Sequence, residues 1–145
     1  MDDTKSKMTT GLFSNRTDEW ATPRALFREL DQEFGFTLDV CATSENHTCD
    51  RYFTAEDDGL AQNWAGERVF CNPPYSHAKE WVRKCAEEAR KPGTLVVMLI
   101  PARTDTSYFH DYIYHKAQEI RFIRGRLHFN DSKQGAPFPS MIVVF

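Results

Sequence analysis

The stretch Arg68-Val69-Phe70-Cys71-Asn72-Pro73-Pro74-Tyr75 decides how this chain is read. Arg68 to Cys71 is a short apolar run that reads as a strand, and a strongly patterned helix follows it. The tetrad Asn72 to Tyr75 is therefore expected on the turn at the carboxyl end of a strand, where open α/β sheets place ligands. Its chemistry is lopsided. The asparagine amide offers one acceptor atom and two donor hydrogens, whereas Pro73 and Pro74 have no backbone N–H, so their carbonyls only accept. An exocyclic amino group in this turn can give one hydrogen to the Asn72 side-chain oxygen and the other to the Pro73 carbonyl, with the Tyr75 ring stacked on an aromatic base. Such a nitrogen is a poor nucleophile because its lone pair is delocalised into the ring. Two acceptors on its hydrogens favour the pyramidal, more nucleophilic form as the transition state develops. The pattern suits methyl transfer to an amino nitrogen; the plain structural alternative is a proline turn that ends a strand.

At these residues the chain resembles a known family. Asn72-Pro73-Pro74-Tyr75 looks like the catalytic tetrad of amino-group methyltransferases that use S-adenosylmethionine, and Cys71 to Ser76 is similar to the phage Dam-like DNA N6-adenine methyltransferases. Glu19-Trp20-Ala21-Thr22-Pro23, Leu38-Asp39-Val40-Cys41-Ala42, Asp57-Asp58-Gly59-Leu60, Pro101-Ala102-Arg103-Thr104-Asp105-Thr106 and Ala136-Pro137-Phe138-Pro139-Ser140 resemble the same family, in its order, over about residues 18–145. The resemblance implies a methyl group moved from S-adenosylmethionine to adenine N6 in double-stranded DNA, with the base flipped into the tetrad. It implies catalytic roles for Asn72, Pro73, Pro74 and Tyr75. The cofactor would be held by Trp20, Thr22, Pro23, Asp39, Ala42, Asp58, Leu60 and Asn72. The same tetrad serves enzymes that methylate RNA bases or the glutamine side chain of proteins. Against the glutamine class stands the lack of a glycine-rich cofactor turn, Cys41-Ala42-Thr43-Ser44 taking its place. A reading from a different class is a non-catalytic module that binds DNA or cofactor.

Composition narrows the setting. With 145 residues, 41% hydrophobic and 27% charged, the chain fits one compact domain over 18–145, with polar residues 1–17 as a flexible arm. No apolar run approaches the ~20 residues of a membrane span, and the polar start Met1-Asp2-Asp3-Thr4-Lys5 is unlike a signal peptide. The expected location is the cytosol, that of a bacterial host if the chain is phage encoded. Cys41, Cys49, Cys71 and Cys85 form no CxxC pair and are expected as buried thiols, with no metal site. The net charge of −3 conceals an asymmetry: residues 1–70 carry 7 Lys/Arg against 14 Asp/Glu, residues 71–145 carry 11 against 7. A polyanion would approach the second half.

Outward from the tetrad the elements follow. Thr22 is placed as a helix N-cap with Pro23 at the first helical position; Leu26, Phe27, Leu30 and Phe34 share a face before Gly35. Phe36 to Val40 reads as a strand bearing Asp39, which needs a partner if buried: a methionine ammonium in the family reading, a backbone group or an arginine otherwise. Only 28 residues, 41–68, lead to the tetrad strand, so intervening strands are expected short or missing. Ala78, Trp81, Val82, Cys85, Ala86 and Ala89 mark a helix, and Leu95 to Ile100 a central parallel strand. Tyr108, Phe109, Tyr112 and Ile113 mark a short helix and Ala117 to Ile123 a strand. Arg126 to Phe129 and Ser140 to Phe145 are expected as an antiparallel hairpin. The fold class is thus a trimmed Rossmann-like α/β sheet with helices on both faces and a C-terminal hairpin. Arg103, Arg121, Arg124, Arg126, Lys133 and Phe138 are the candidate DNA surface, with a solvated, ion-paired face as the alternative. No target-recognition domain is visible, so specificity would come from loops, the arm or a second subunit in a homodimer.

Overall fold

The computed structural model describes residues 20–145; the arm expected over residues 1–17 lies outside them. Five strands form one mixed sheet: β1 (Leu38–Asp39), β2 (Arg68–Cys71), β3 (Leu95–Pro101), β4 (Glu119–Phe122) and β5 (Ser140–Val144), in the order β1-β2-β3-β5-β4. The pairs β1·β2 and β2·β3 are parallel, while β5 runs antiparallel to both β3 and β4. Among the described residues two α-helices cover it, α1 (Arg24–Phe34) and α2 (Ala78–Ala89). Successive strand side chains point to opposite faces, and a strand covered on both sides can be apolar throughout. In β3, Val96, Met98 and Ile100 join the core under α2 with Trp81, Val82 and Cys85, whereas Val97 and Leu99 join the core under α1 with Leu30. No helix among the described residues is long and apolar enough to cross a membrane.

Between β1 and β2 the chain makes no complete further strand. Tyr52 forms a single parallel bridge with Asp39, flanked by bonds from Asp39 N to Arg51 O (3.1 Å) and from Phe53 N to Asp39 O (2.9 Å). Residues 51–53 thus run beside β1 through one bridge, and the loop before them walls a cavity.

Two local expectations are corrected. Pro23 (φ −58°, ψ 132°), not Thr22, is the N-cap of α1, and Arg24 is the first helical residue. The Thr22 hydroxyl accepts a hydrogen from Asn72 instead of capping the helix. The first turn is met from outside the helix by Asp131, whose carboxylate accepts from Arg24 N (3.4 Å) and Arg24 Nε (3.2 Å). The C-terminal hairpin does not form either. Residues 126–128 are irregular, Phe129–Asp131 makes a short 3₁₀ turn, and the antiparallel partner of β5 on its outer side is β4. Gly125 (φ 77°), Asn130 (φ 60°) and Asp131 (φ 51°) adopt left-handed backbone, which turns this segment out of any strand path. The short helix expected at 108–113 does form, as a π-helical turn, Phe109–Ile113.

Candidate active site

Strand β2 is flanked by parallel neighbours and delivers Asn72 to the carboxyl edge of the sheet. Pro73 and Pro74 are buried, and the chain then closes into a 3₁₀ turn, Tyr75–His77, with His77 N donating to Pro74 O at 3.0 Å. The Asn72 amide is held on both sides. Its Nδ2 donates to Trp20 O (2.6 Å) and Thr22 Oγ1 (2.9 Å), and its Oδ1 accepts the Tyr75 hydroxyl (2.6 Å). Two acceptors on the nitrogen side orient the amide, because a flipped group would set its oxygen against two oxygens. The Trp20–Thr22 segment has no regular structure of its own, so tetrad and segment fix one another.

An aromatic box supports this pair. Tyr75 meets Phe138 edge-on at 5.5 Å and Phe129 at 6.2 Å, and Trp20 meets the same two rings at 5.2 and 5.6 Å. Burial pushes the Tyr75 phenol well above its ordinary range, so its hydroxyl stays protonated and donating. Phe138 is 9% exposed. It is therefore a wall behind the tetrad rather than the surface contact expected for it, since an apolar ring in a polar loop gains by covering Trp20 and Tyr75.

Asp39 ends β1 and is 3% exposed. Its Oδ1 accepts Cys41 N (3.1 Å), and its Oδ2 accepts Thr48 N (2.9 Å) and Thr48 Oγ1 (2.8 Å). Burial raises the carboxyl above its ordinary value, and the Thr48 and Cys41 donors with nearby His47 oppose that rise. The partners are backbone and hydroxyl groups, not an arginine, and they fasten the 41–48 loop. Each carboxylate has about four lone-pair sites, so acceptor capacity remains after three bonds.

Beside Asp39 and Asn72 lies a cavity of about 620 Å³, within the size range of small-molecule sites. Trp20, Thr22, Asp39, Ala42 and Asn72, five of the residues expected to hold a cofactor, line it. Pro23, Asp58 and Leu60 do not. Pro23 starts α1, Leu60 packs half-buried on the core, and Asp58 (φ 58°) heads the turn Gly59–Ala61. Asp58 Oδ1 is buried without a hydrogen-bond partner, as is Nε1 of Trp81, whose ring lines the cavity. The buried Trp81 donor, in a residue of the lining, is what a ligand acceptor would satisfy. Gly59, also in the lining, has no room for a side chain: a Cβ would stand 2.5 Å from Val40 O and 3.1 Å from the Trp81 ring.

The basic candidates divide. Arg121 is bound by Glu33 through Nη1 (2.7 Å) and Nη2 (2.5 Å), and by Glu119 through Nε (2.9 Å). It also lies over the Phe34 ring, so it ties β4 to α1. Arg124, Arg126 and Lys133 are exposed on the 123–139 loop that carries Phe129 and Phe138, and Arg126 Nη1 donates to Ala136 O at 3.2 Å. Strand β4 stops at Phe122, so Arg124 and Arg126 flank the Gly125 turn instead of alternating along a strand. Arg103 is exposed just beyond the end of β3. Thr48, Gly59, Trp81 and Asn130 are site residues that the sequence reading missed; only the Asn130-Asp131 pair carried a local signal, its tolerance of left-handed turns.

A parallel strand that delivers an Asn-Pro-Pro-Tyr turn to a ligand-sized cavity, with a buried acid on the neighbouring strand, is the arrangement of an amino-group methyltransferase. Residues 9–145 match the family described as DNA N-6-adenine-methyltransferase (Dam), and the chain belongs to that family. It is 32% identical over 136 residues to the DNA N-6-adenine-methyltransferase of Haemophilus phage HP1, covering 88% of this chain and 78% of that protein. It is 31% identical over 105 residues to the enzyme of the same name from Escherichia phage T1, covering 71% of this chain and 44% of that one.

Proposed function

We propose that this chain moves a methyl group from S-adenosylmethionine to N6 of an adenine flipped out of double-stranded DNA. The observation that carries this reading is the Asn72 amide. With Nδ2 tied to Trp20 and Thr22, its only acceptor atom is directed to the Tyr75 side of the turn. Bound S-adenosylmethionine would supply the methyl group as a sulfonium electrophile. The chain's own part is to hold the amine. Asn72 Oδ1 takes one N6 hydrogen and the Pro73 carbonyl the other, drawing the nitrogen towards its pyramidal form as charge develops. A base stacked in its duplex cannot reach this recessed turn, so it must leave the stack, and the Tyr75 ring then offers it a flat apolar surface.

Asp39 lines the cavity with acceptor capacity to spare for an ammonium, and the orphaned Trp81 Nε1 suits an acceptor on the edge of a purine. The parallel β1-β2-β3 portion, with its one-bridge remnant at Tyr52, supports a Rossmann-like sheet trimmed of its outer strands. Arg124, Arg126, Lys133 and Arg103 would meet phosphates.

The test is transfer of radiolabelled methyl groups to duplex DNA, RNA and protein in parallel, with Asn72→Ala as the control. Label on adenine N6 of DNA, lost in Asn72→Ala while S-adenosylmethionine affinity stays within a few-fold, is the expected outcome. Label confined to RNA or protein, or retained by Asn72→Ala, would overturn the reading.

A further inference from the structure

The Trp20–Ala21 peptide group has hydrogen bonds at both ends, and the two partners lie far apart in the chain. Its carbonyl, on Trp20, accepts from Asn72 Nδ2 at 2.6 Å; its N–H, on Ala21, donates to Asn130 Oδ1 at 3.0 Å. Asn130 N returns a bond to Ala21 O at 2.8 Å. Three amide groups therefore stand in one directed series. The Tyr75 hydroxyl donates to Asn72 Oδ1, the Asn72 amide donates to the Trp20–Ala21 peptide, and that peptide donates to the Asn130 amide.

We infer that Asn130 is a positioning residue for the Asn72 amide, acting through the Trp20–Ala21 peptide; the inference rests on the methyl-transfer reading above. Hydrogen bonds in series polarise one another. An acceptor on the Ala21 N–H makes Trp20 O a better acceptor, which draws harder on the Asn72 N–H and leaves Asn72 Oδ1 richer in charge. That oxygen is the atom proposed to take the amine hydrogen. The geometry also explains why an asparagine occupies a left-handed position (φ 60°, ψ 19°), which Asn tolerates better than most residues. There its backbone N–H and its side-chain oxygen reach the same residue.

Three variants separate the possible roles. Asn130→Gly keeps the left-handed backbone and its bond to Ala21 O but deletes the acceptor. Asn130→Asp keeps an acceptor. Arg24→Ala removes the ion pair to Asp131 that holds the same turn (3.2 Å) and leaves the amide series intact. Steady-state methyl transfer to DNA and the side-chain amide NMR signal of Asn72 are read on each. The expected result is a kcat about tenfold lower in Asn130→Gly, the worth of one hydrogen bond, with KM for DNA within about threefold by the same magnitude. The Asn72 amide signal should move in that variant, and both readouts should return in Asn130→Asp and hold in Arg24→Ala. If Asn130→Gly does not fold, Asn130→Ser, whose hydroxyl is too short to reach Ala21, takes its place. Unchanged kcat and amide signal in the deleted variant, no recovery in Asn130→Asp, or an equal loss in Arg24→Ala would each overturn the inference. A wild-type protein that methylates no DNA would sink the proposed function instead, and the Asn72 signal would still decide the hydrogen-bond series.

Discussion

The Tyr75 hydroxyl donates to Asn72 Oδ1 at 2.6 Å, so the tetrad's own tyrosine occupies the acceptor that the methyl-accepting amine needs. A carbonyl oxygen has two lone pairs, and an incoming base can share the atom or displace the phenol. Either way the ring and the hydroxyl do different jobs. Tyr75→Phe keeps the ring in its box and frees Oδ1; turnover within several-fold of wild type is expected, with a stability loss of about 1 kcal/mol for one hydrogen bond. Tyr75→Ala empties the box against Phe129 and Phe138 and should lower kcat about hundredfold through misplacement. A Tyr75→Phe protein as inactive as Tyr75→Ala would place the hydroxyl in the chemistry itself.

If Asp39 holds the cofactor's ammonium as proposed, its titration ties cofactor affinity to pH. Its folded pKa lies above the ordinary 3.8, chiefly through burial, and Thr48 and Cys41 donate to the ionised form. An ammonium prefers that form, so S-adenosylmethionine affinity should fall as pH drops through the raised folded value. Thr48→Val removes one donor, lifts the pKa further and should start the loss at higher pH. The raised pKa also gives Asp39 the opposite sign in stability: its contribution to folding is complete below 3.8 and is lost as pH rises through the folded value. Loss of affinity at low pH is then not unfolding through this group. Calorimetric titration across the acid range checks the point, with Asp39→Ala losing about 1.5–3 kcal/mol of binding. Matching pH profiles for wild type and Thr48→Val would detach Asp39 from the cofactor.

What the sequence showed and what it hid divide along the reach of each residue's partners. Val69 to Cys71 and Val96 to Ile100 were legible because coverage on both faces makes a strand an unbroken apolar run, and the face Ala78, Trp81, Val82, Cys85 because burial imposes a period of 3.6 on a helix. The tetrad was legible because its chemistry lies in four consecutive residues. Thr22 was misread as a helix cap because its partner Asn72 lies 50 positions away, and the ion pair of Arg121 was hidden because Glu33 lies 88 away. Phe138 was taken for surface because its neighbours in sequence are polar, although Trp20 and Tyr75 cover it. The hairpin failed because two non-glycine residues adopt left-handed backbone, a choice that docking on Ala21 and Arg24 explains and local preference does not.

Glu88 offers a stability test away from the chemistry. It is 5% exposed, and its carboxylate accepts Trp64 N (2.7 Å), Lys84 Nζ (3.1 Å) and Lys91 Nζ (2.8 Å). Burial alone would raise its pKa, but Lys91, the Trp64 N–H and Lys84 outweigh it and hold it below the ordinary 4.5. With a lowered folded pKa, the stability it contributes is present above 4.5 and lost as pH falls through the folded value. Glu88→Ala leaves the buried Trp64 N–H unpaired and Lys84 and Lys91 with only Gln62 O and Asn63 Oδ1, and should destabilise by about 2 kcal/mol at neutral pH, with a smaller difference in acid. Denaturant melts at two pH values measure it; a penalty that grows in acid would refute the ionic account.

The last prediction concerns DNA engagement, where the arginines no longer act alike. Arg121 is held by Glu33 and Glu119, which raise its pKa and neutralise its charge locally. Arg124 and Arg126 are exposed on the loop whose Phe129 and Phe138 touch Tyr75, so a duplex that presents a base to the tetrad would pass near them. Each phosphate contact releases counterion and steepens the fall of log K with log salt by about 0.9 on duplex DNA. Arg124→Gln with Arg126→Gln should therefore flatten that slope by about 2, weaken binding alike across sequences and leave cofactor affinity unchanged. Arg121→Gln should leave the slope alone and lower the melting temperature, because it cuts the tie between β4 and α1. Salt titrations of duplex binding on the three proteins distinguish the roles. An unaltered slope in the double variant would move the phosphate contacts to Arg103 or Lys133, and a flattened slope in Arg121→Gln would mean that DNA displaces Glu33.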